Sequence, residues 1–305
     1  MFPSAAKRVA HLVGSGLAIS GLVFLAGRLR QAGQGVDLRQ LGPTQWLLLL
    51  GLTVLYGLAN RLLAQAWFLI LRSLRAEIGA GLAARLYARS QIGKYLPGNI
   101  FQFAGRQALG MAAGVPGGIL LRSTGLELGL IIAAGAGGAL LLPAYQGLAS
   151  YGPRVALALS LFGYGLVLYL ISWSLGKTMG PQVRQAWLLQ SVFLLASGTI
   201  FLGLLLALLA VDPMPVGLSP WLWPGAVGAF VLAWLLGLIT PGAPAGVGVR
   251  ELVLLGLLSP FVPQSTILLA TVLGRLVTIG GDMLFFGWGC LAWAGSPSQS
   301  AHLKG

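Results

Sequence analysis

Charge is what this sequence has least of. Only 8% of its 305 residues are Asp, Glu, Lys or Arg, against roughly 25% in a soluble domain that must solvate its surface. With 57% hydrophobic residues and a mean hydropathy of +0.87, the chain reads as an all-α polytopic membrane protein, and the soluble enzyme classes fall away. A single cysteine, Cys290 in an apolar run, excludes a disulfide framework. The two histidines, His11 and His302, sit at opposite ends, so neither a metal site nor a cofactor is expected. No HExxH, no GxxxxGKS/T loop, no Ser/His/Asp set and no paired-carboxylate site on a soluble face is present. Catalysis therefore has little support, and any transport is facilitated or driven by an ion gradient.

Acid is scarcer still, with 6 Asp+Glu against 19 Lys+Arg and a formal net charge of +13. In a soluble chain that balance would point to nucleic acid. Here no basic tract lies outside an apolar context, and nucleic acid is not an expected partner. Part of the excess orients the protein by the positive-inside rule. The part inside apolar segments has to meet something anionic.

About 20 mainly apolar residues are needed to cross a bilayer. Six stretches qualify: 9–26, 43–71, 123–142, 155–173, 186–211 and 264–294, the last long enough for a tilt or a break at Gly280-Gly281. The first, preceded by Lys7-Arg8, is read as a retained helix rather than a cleaved signal. Two further regions, 80–115 and 221–259, are apolar but interrupted by Tyr95-Leu96-Pro97-Gly98-Asn99 and by Thr240-Pro241-Gly242-Ala243-Pro244-Ala245-Gly246. Each half is too short to cross alone, which predicts two re-entrant helical hairpins. With cytoplasmic termini and both hairpins returning, the inner side holds Lys7, Arg8, Arg72, Arg75, Arg85, Arg89, Arg122, Lys177, Arg184 and Lys304, against Arg28, Arg30, Arg39 and Arg154 outside. That is the expected bias of an inner-membrane, multi-pass protein.

Pro97-Gly98 is followed nine positions later by Arg106, and Pro241-Gly242 nine positions later by Arg250. The two motifs lie 144 residues apart. The spacing predicts one integral domain over 1–305 built as two inverted repeats, 1–150 and 151–305, each helix–helix–hairpin–helix. Paired interrupted segments in matching positions are a sequence pointer to a transport site.

Within the first hairpin, Lys94 complements the C-terminal end of a short helix, Gly98 permits the reversal, and Asn99 is a good N-cap for the next helix. Arg106 follows on the same face as Asn99. The second hairpin repeats this chemistry with Gly246 and Gly248 in the turn, then Arg250-Glu251. A charge at mid-depth costs about 2.5–3.5 kcal/mol, so each arginine needs a partner or a wet cavity. Candidate partners are Glu127, Glu251 and Asp282, which could balance charge or couple protons; Arg275 shares a face with Asp282. Structural pairs such as Glu127–Arg250 or Arg106–Asp282 are the plain alternative. Four basic groups, Arg61, Arg106, Arg250 and Arg275, face those three acids. The surplus favours an anionic headgroup, with Arg106, Arg250 and the half-helix N-termini expected to coordinate its phosphate and Lys94, Gly98, Asn99, Gly246, Gly248 and Arg275 to complete the binding site. Arg61 is free to snorkel to the inner surface.

At these residues the chain resembles the lysylphosphatidylglycerol synthase transmembrane, or flippase-like, family, whose membrane domain also forms the lipid-flipping half of the multiple peptide resistance factors. Gly93-Lys94-Tyr95-Leu96-Pro97-Gly98-Asn99-Ile100-Phe101-Gln102, with Arg106, is similar to that family's (G/R)(R/K)Y(L/I)PGK(V/I)W segment and its following Arg. Thr240-Pro241-Gly242 through Gly246-Val247-Gly248-Val249-Arg250-Glu251 is similar to its PGG-x-G-x-R-E segment. Asn99 stands where Lys is frequent, and Ala243-Pro244-Ala245 widens the second turn. These residues hold no aminoacyl-transferase domain. The resemblance thus implies a translocase for a phosphate-bearing lipid or lipid-linked intermediate and gives no ground for lipid aminoacylation. Membrane lipid headgroups are the expected partners, and a homo-oligomer or a lipid-modifying enzyme partner is compatible. Two other functions remain open at this point: an accessory subunit or enzyme of lipid-linked glycan or lipid modification, and a secondary transporter of a small anionic solute.

Overall fold

The structure is a computed structural model that describes residues 42–95, 100–142, 152–210, 223–240, 246 and 248–294. Among these residues the chain is helical and has no strand. Five helices are long and apolar enough to cross a membrane, so this is a membrane-embedded protein. They are α1 (Pro43–Ser73), α4 (Gly117–Gly138, extended by a short 3-10 turn, Ala139–Leu141), α5 (Pro153–Thr178), α6 (Pro181–Leu209) and α9 (Gln264–Ala294). The expected helix over 9–26 lies outside the described residues.

Local chemistry sets the helix starts. Pro43, Pro153 and Pro181 occupy first-turn positions of α1, α5 and α6, each directly after a glycine. Proline's missing N–H is no loss there, because the first helical N–H groups have no intrahelical acceptor. Gly152 and Gly180 take φ of 91° and 92°, which a side chain would resist. For this reason α6 begins five residues before the apolar run expected from 186.

Both interrupted regions are interrupted in the structure. The first comprises α2 (Ala80–Ser90), a 3-10 turn (Gln91–Tyr95) and α3 (Phe101–Ala112). The second comprises α7 (Trp223–Ile239) and α8 (Val249–Leu258). Residues 96–99, 241–245 and 247 lie outside the described residues, and with them the expected roles of Pro97, Gly98, Asn99, Pro241 and Gly242. Lys94 was expected to close the first short helix; it lies on the 3-10 turn that follows α2.

A glycine brings the two arms of each broken pair together. A Cβ on Gly93 would stand 2.7 Å from the Gln102 backbone N, and one on Gly237 would stand 3.0 Å from the Gly246 Cα. Each crossing joins residues nine apart in sequence, and the second lies 144 positions after the first.

At the centre, α1 packs along α6 and α9, with α4 and α7 against α6, and α2 against α9. The α1–α9 contact depends on small residues, as is common where helices approach closely in membranes. A Cβ on Gly281 would meet the Gly57 N and the Thr53 carbonyl oxygen, both at 2.8 Å. The break considered at Gly280-Gly281 is therefore absent: α9 runs through it unbroken, and the glycine pair serves packing against α1. Gly281→Ala is expected to destabilise the protein by about 1–3 kcal/mol through overpacking. Gly287→Ala, where a Cβ meets nothing within 4 Å, should be neutral or slightly stabilising. Thermal unfolding in detergent followed by tryptophan fluorescence checks the contrast.

Candidate functional site

The broken pairs and the centres of α1, α4 and α9 enclose a cavity of about 80 Å³. That is room for several waters or one small oxyanion, since a water needs roughly 10–15 Å³ by this measure. Its wall includes Lys94, Arg106, Glu127, Arg250, Arg275 and Asp282. Six of the expected site residues thus converge, from both broken pairs and from α4 and α9. Aromatic surfaces close much of the remainder: Phe193 lies 5.9 Å from Tyr56 and 6.3 Å from Trp234, centroid to centroid.

Arg106 is held by α4. Its Nη1 donates to Glu127 Oε1 and Oε2 at 2.8 and 2.7 Å, and the Tyr87 hydroxyl donates to the same carboxylate at 2.9 Å. The guanidinium lies 4.0 Å from the Tyr87 ring centroid and 5.2 Å from that of Trp67, distances at which a ring face attracts a cation. Arg106 and Glu127 are both buried, so their charges cancel inside the protein. The pairs considered from sequence, Glu127–Arg250 and Arg106–Asp282, do not form. Each carboxylate instead takes a different cation, because the packing of α3 on α4 carries Arg106 to Glu127 first.

Asp282, fully buried on α9, is a hub. Its Oδ2 pairs with Lys94 Nζ at 2.5 Å and accepts from the Tyr95 hydroxyl; its Oδ1 accepts from Asn60 Nδ2 at 3.0 Å. The close α1–α9 contact one residue earlier, at Gly281, brings Asn60 within reach. Asp282 thereby ties the first broken pair to α1 and α9.

Glu251 does two jobs on α8. Its Oε2 accepts from the Gly248 backbone N–H at 2.7 Å, and its Oε1 accepts from Arg275 Nη2 at 3.0 Å. The helix N-terminus expected to bind a guest anion already holds the chain's own carboxylate, which satisfies one unpaired N–H there. Arg275 also donates to the Gly246 carbonyl at 2.9 Å, fixing the second turn against α9. Gly246 and Gly248 take φ of 70° and 87°. They shape a turn that only glycine accepts without strain.

The three carboxylates are thus each matched to one cation: Glu127 to Arg106, Asp282 to Lys94 and Glu251 to Arg275. Arg250 is left over. Among the described residues no carboxylate pairs with it, and its Nε is buried with no hydrogen-bond partner. Arg106 Nε is likewise buried without a partner, so the difference between the two arginines is the counter-charge. The Arg250 side chain lies in a slot between Gly237 and Gly246, where a Cβ on either glycine would come within about 3 Å of its Nε. Its guanidinium stands 5.8 Å from the Trp234 ring centroid. Arg61, counted from sequence among the four inward cations, is instead exposed over Trp288 at 4.9 Å; Lys94 takes its place in the balance.

Neither a family model nor a curated protein matches the chain.

Four residues that sequence reasoning missed complete the site: Asn60, Tyr87, Tyr95 and Gly237. Asn60 is a lone amide inside an apolar span, Tyr95 stands inside the first motif, and Gly237 lies 144 positions after Gly93. Those signals were visible. Tyr87 offers none, because its role depends on how α2 packs. Among the described residues no three His, Cys, Asp or Glu side chains gather as a metal site. The cavity thus sets the Arg250 guanidinium beside aromatic and apolar walls, while the two carboxylates that line it, Glu127 and Asp282, are each paired with a cation.

Proposed function

We propose that this protein is a lipid translocase of the flippase-like kind, which carries a phosphate-bearing lipid or lipid-linked intermediate across the bilayer with the headgroup in the central cavity and the acyl chains left in the membrane. The observation that carries this is Arg250, a cation with no internal counter-charge among the described residues, facing a cavity between two broken helix pairs. Arg250 is half-buried with its Nε fully enclosed. A cation inside an apolar segment is costly unless something anionic meets it, and phosphate suits the forked donors of a guanidinium.

Further support comes from the paired glycine crossings at Gly93/Gln102 and Gly237/Gly246. They are what two re-entrant hairpins in an inverted repeat, 1–150 and 151–305, require. The two motif resemblances favour the same family, and the basic residues favour an inner-membrane protein with cytoplasmic termini. Arg250 binds the headgroup in this scheme. Arg106, Lys94 and Arg275, already matched by carboxylates, hold the cavity's shape, and Glu127, Glu251 and Asp282 are their counter-charges.

The test is lipid movement in vesicles. Arg250→Gln removes one charge-assisted contact of roughly 1.5–3 kcal/mol, so translocation of a fluorescent phospholipid in proteoliposomes should fall about ten- to hundredfold. The protein should remain folded. Unchanged lipid movement by this variant defeats the assignment, and uptake of a soluble phosphate without lipid movement identifies a small-anion transporter instead.

A further inference from the structure

Arg106 and Arg250 lie 144 residues apart, and so do Glu127 and position 271, which is Thr. Where Arg106 meets a carboxylate at 2.7 Å, the matching place on α9 offers only a hydroxyl, and that hydroxyl donates to the Ile267 carbonyl at 2.7 Å. Thr271 is buried and lines, together with Arg250, a second small cavity of about 20 Å³. The two halves carry the same cation in the same register and differ in its counter-charge.

Resting on the translocase reading, we infer that the site takes a guest with one negative charge, a phosphodiester, in preference to a phosphomonoester with close to two. The four cations Lys94, Arg106, Arg250 and Arg275 stand against Glu127, Glu251 and Asp282, leaving a surplus of one positive charge. A phosphodiester restores neutrality. A phosphomonoester, whose second proton leaves near pH 6, overshoots it and leaves an uncompensated anion among buried groups, which a low-dielectric site penalises. Thr271 sets this balance, because a carboxylate there would neutralise Arg250 from within as Glu127 neutralises Arg106.

The experiment measures binding to the purified full chain in detergent at pH 8 by isothermal titration calorimetry. Its probes are dihexanoylphosphatidylglycerol, dihexanoylphosphatidic acid and glycerophosphoglycerol, the last a headgroup without acyl chains. The diester lipid should bind at least about tenfold more tightly than the monoester lipid, a difference of about 1.4 kcal/mol. Thr271→Glu should abolish diester binding, whereas Thr271→Gln, of matching size and no charge, should retain it. Equal affinity for the two lipids, or wild-type diester binding by Thr271→Glu, overturns the charge preference and leaves the translocase reading intact. Equal affinity for glycerophosphoglycerol and the diester lipid, with the monoester lipid still weaker, bears out the charge preference and overturns the lipid reading, since the acyl chains then contribute nothing. The comparison of wild-type affinities needs no variant to fold.

Discussion

Removing the Glu127 carboxylate, as in Glu127→Ala, is expected to cost about 3–5 kcal/mol of stability, the usual penalty for leaving a buried charge without its partner. Arg106 is 3% exposed and Glu127 4%, so water does little to replace the lost carboxylate. The same substitution strands the Tyr87 hydroxyl, which donates to Glu127 at 2.9 Å. A well-packed apolar pair often matches a buried ion pair in stability. Arg106→Met with Glu127→Leu should therefore recover most of what Glu127→Ala loses. Thermal unfolding in detergent measures the difference. The double variant also decides what Arg106 does: if it only holds α3 against α4, lipid movement persists. A folded double variant with no lipid movement would return Arg106 to the headgroup-binding role expected from the sequence.

Asp282→Ala should be about as severe, again about 3–5 kcal/mol, because three groups lose one acceptor. Lys94, the Tyr95 hydroxyl and Asn60 Nδ2 all converge on that carboxylate, and Asn60 is fully buried. The damage should be local first. Lys94 and Tyr95 lie on the 3-10 turn after α2, so losing Asp282 frees that turn before it loosens α9. Limited trypsin digestion should then cut after Lys94 in the variant and spare the wild-type chain. Asp282→Asn keeps acceptor capacity for Tyr95 while removing the charge, and should fall between the two. An unchanged melting temperature and digestion pattern for Asp282→Ala would remove the hub from the account.

Much of the helix pattern could be read from the chain alone. Apolar runs located the five long helices, and Pro/Gly clusters located both interruptions, because these signals act within a few residues of where they stand. Helix ends were less legible: polar first turns such as Gln182 and Arg184 of α6 stay helical although no apolar window includes them. The cationic residues of the site were legible too, since a charge in an apolar segment demands an explanation wherever it lies. Their partners were not. Which carboxylate meets Arg106 depends on how α3 lies on α4, and which cation meets Asp282 depends on a glycine contact between α1 and α9. Both are properties of helices distant in sequence. Arg61 illustrates the reverse: hydropathy places it inside a span, but its own helical face turns it outward onto Trp288. Glu251 stands out in the sequence as a carboxylate beside Arg250, but its partners, the Gly248 N–H and Arg275, are set by the turn and by α9.

The crossings of Gly93 on Gln102 and Gly237 on Gly246 put main chain directly against main chain or a bare Cα. At Gly93 only backbone atoms stand against the glycine, so no rotamer flip can act as a gate there, whereas at Gly237 the Arg250 side chain lies in the contact itself. Any passage that widens between Gly93 and Gln102 has to move whole rods of backbone, which places such motion on the microsecond-to-millisecond scale of collective helix shifts rather than the nanoseconds of side-chain hopping.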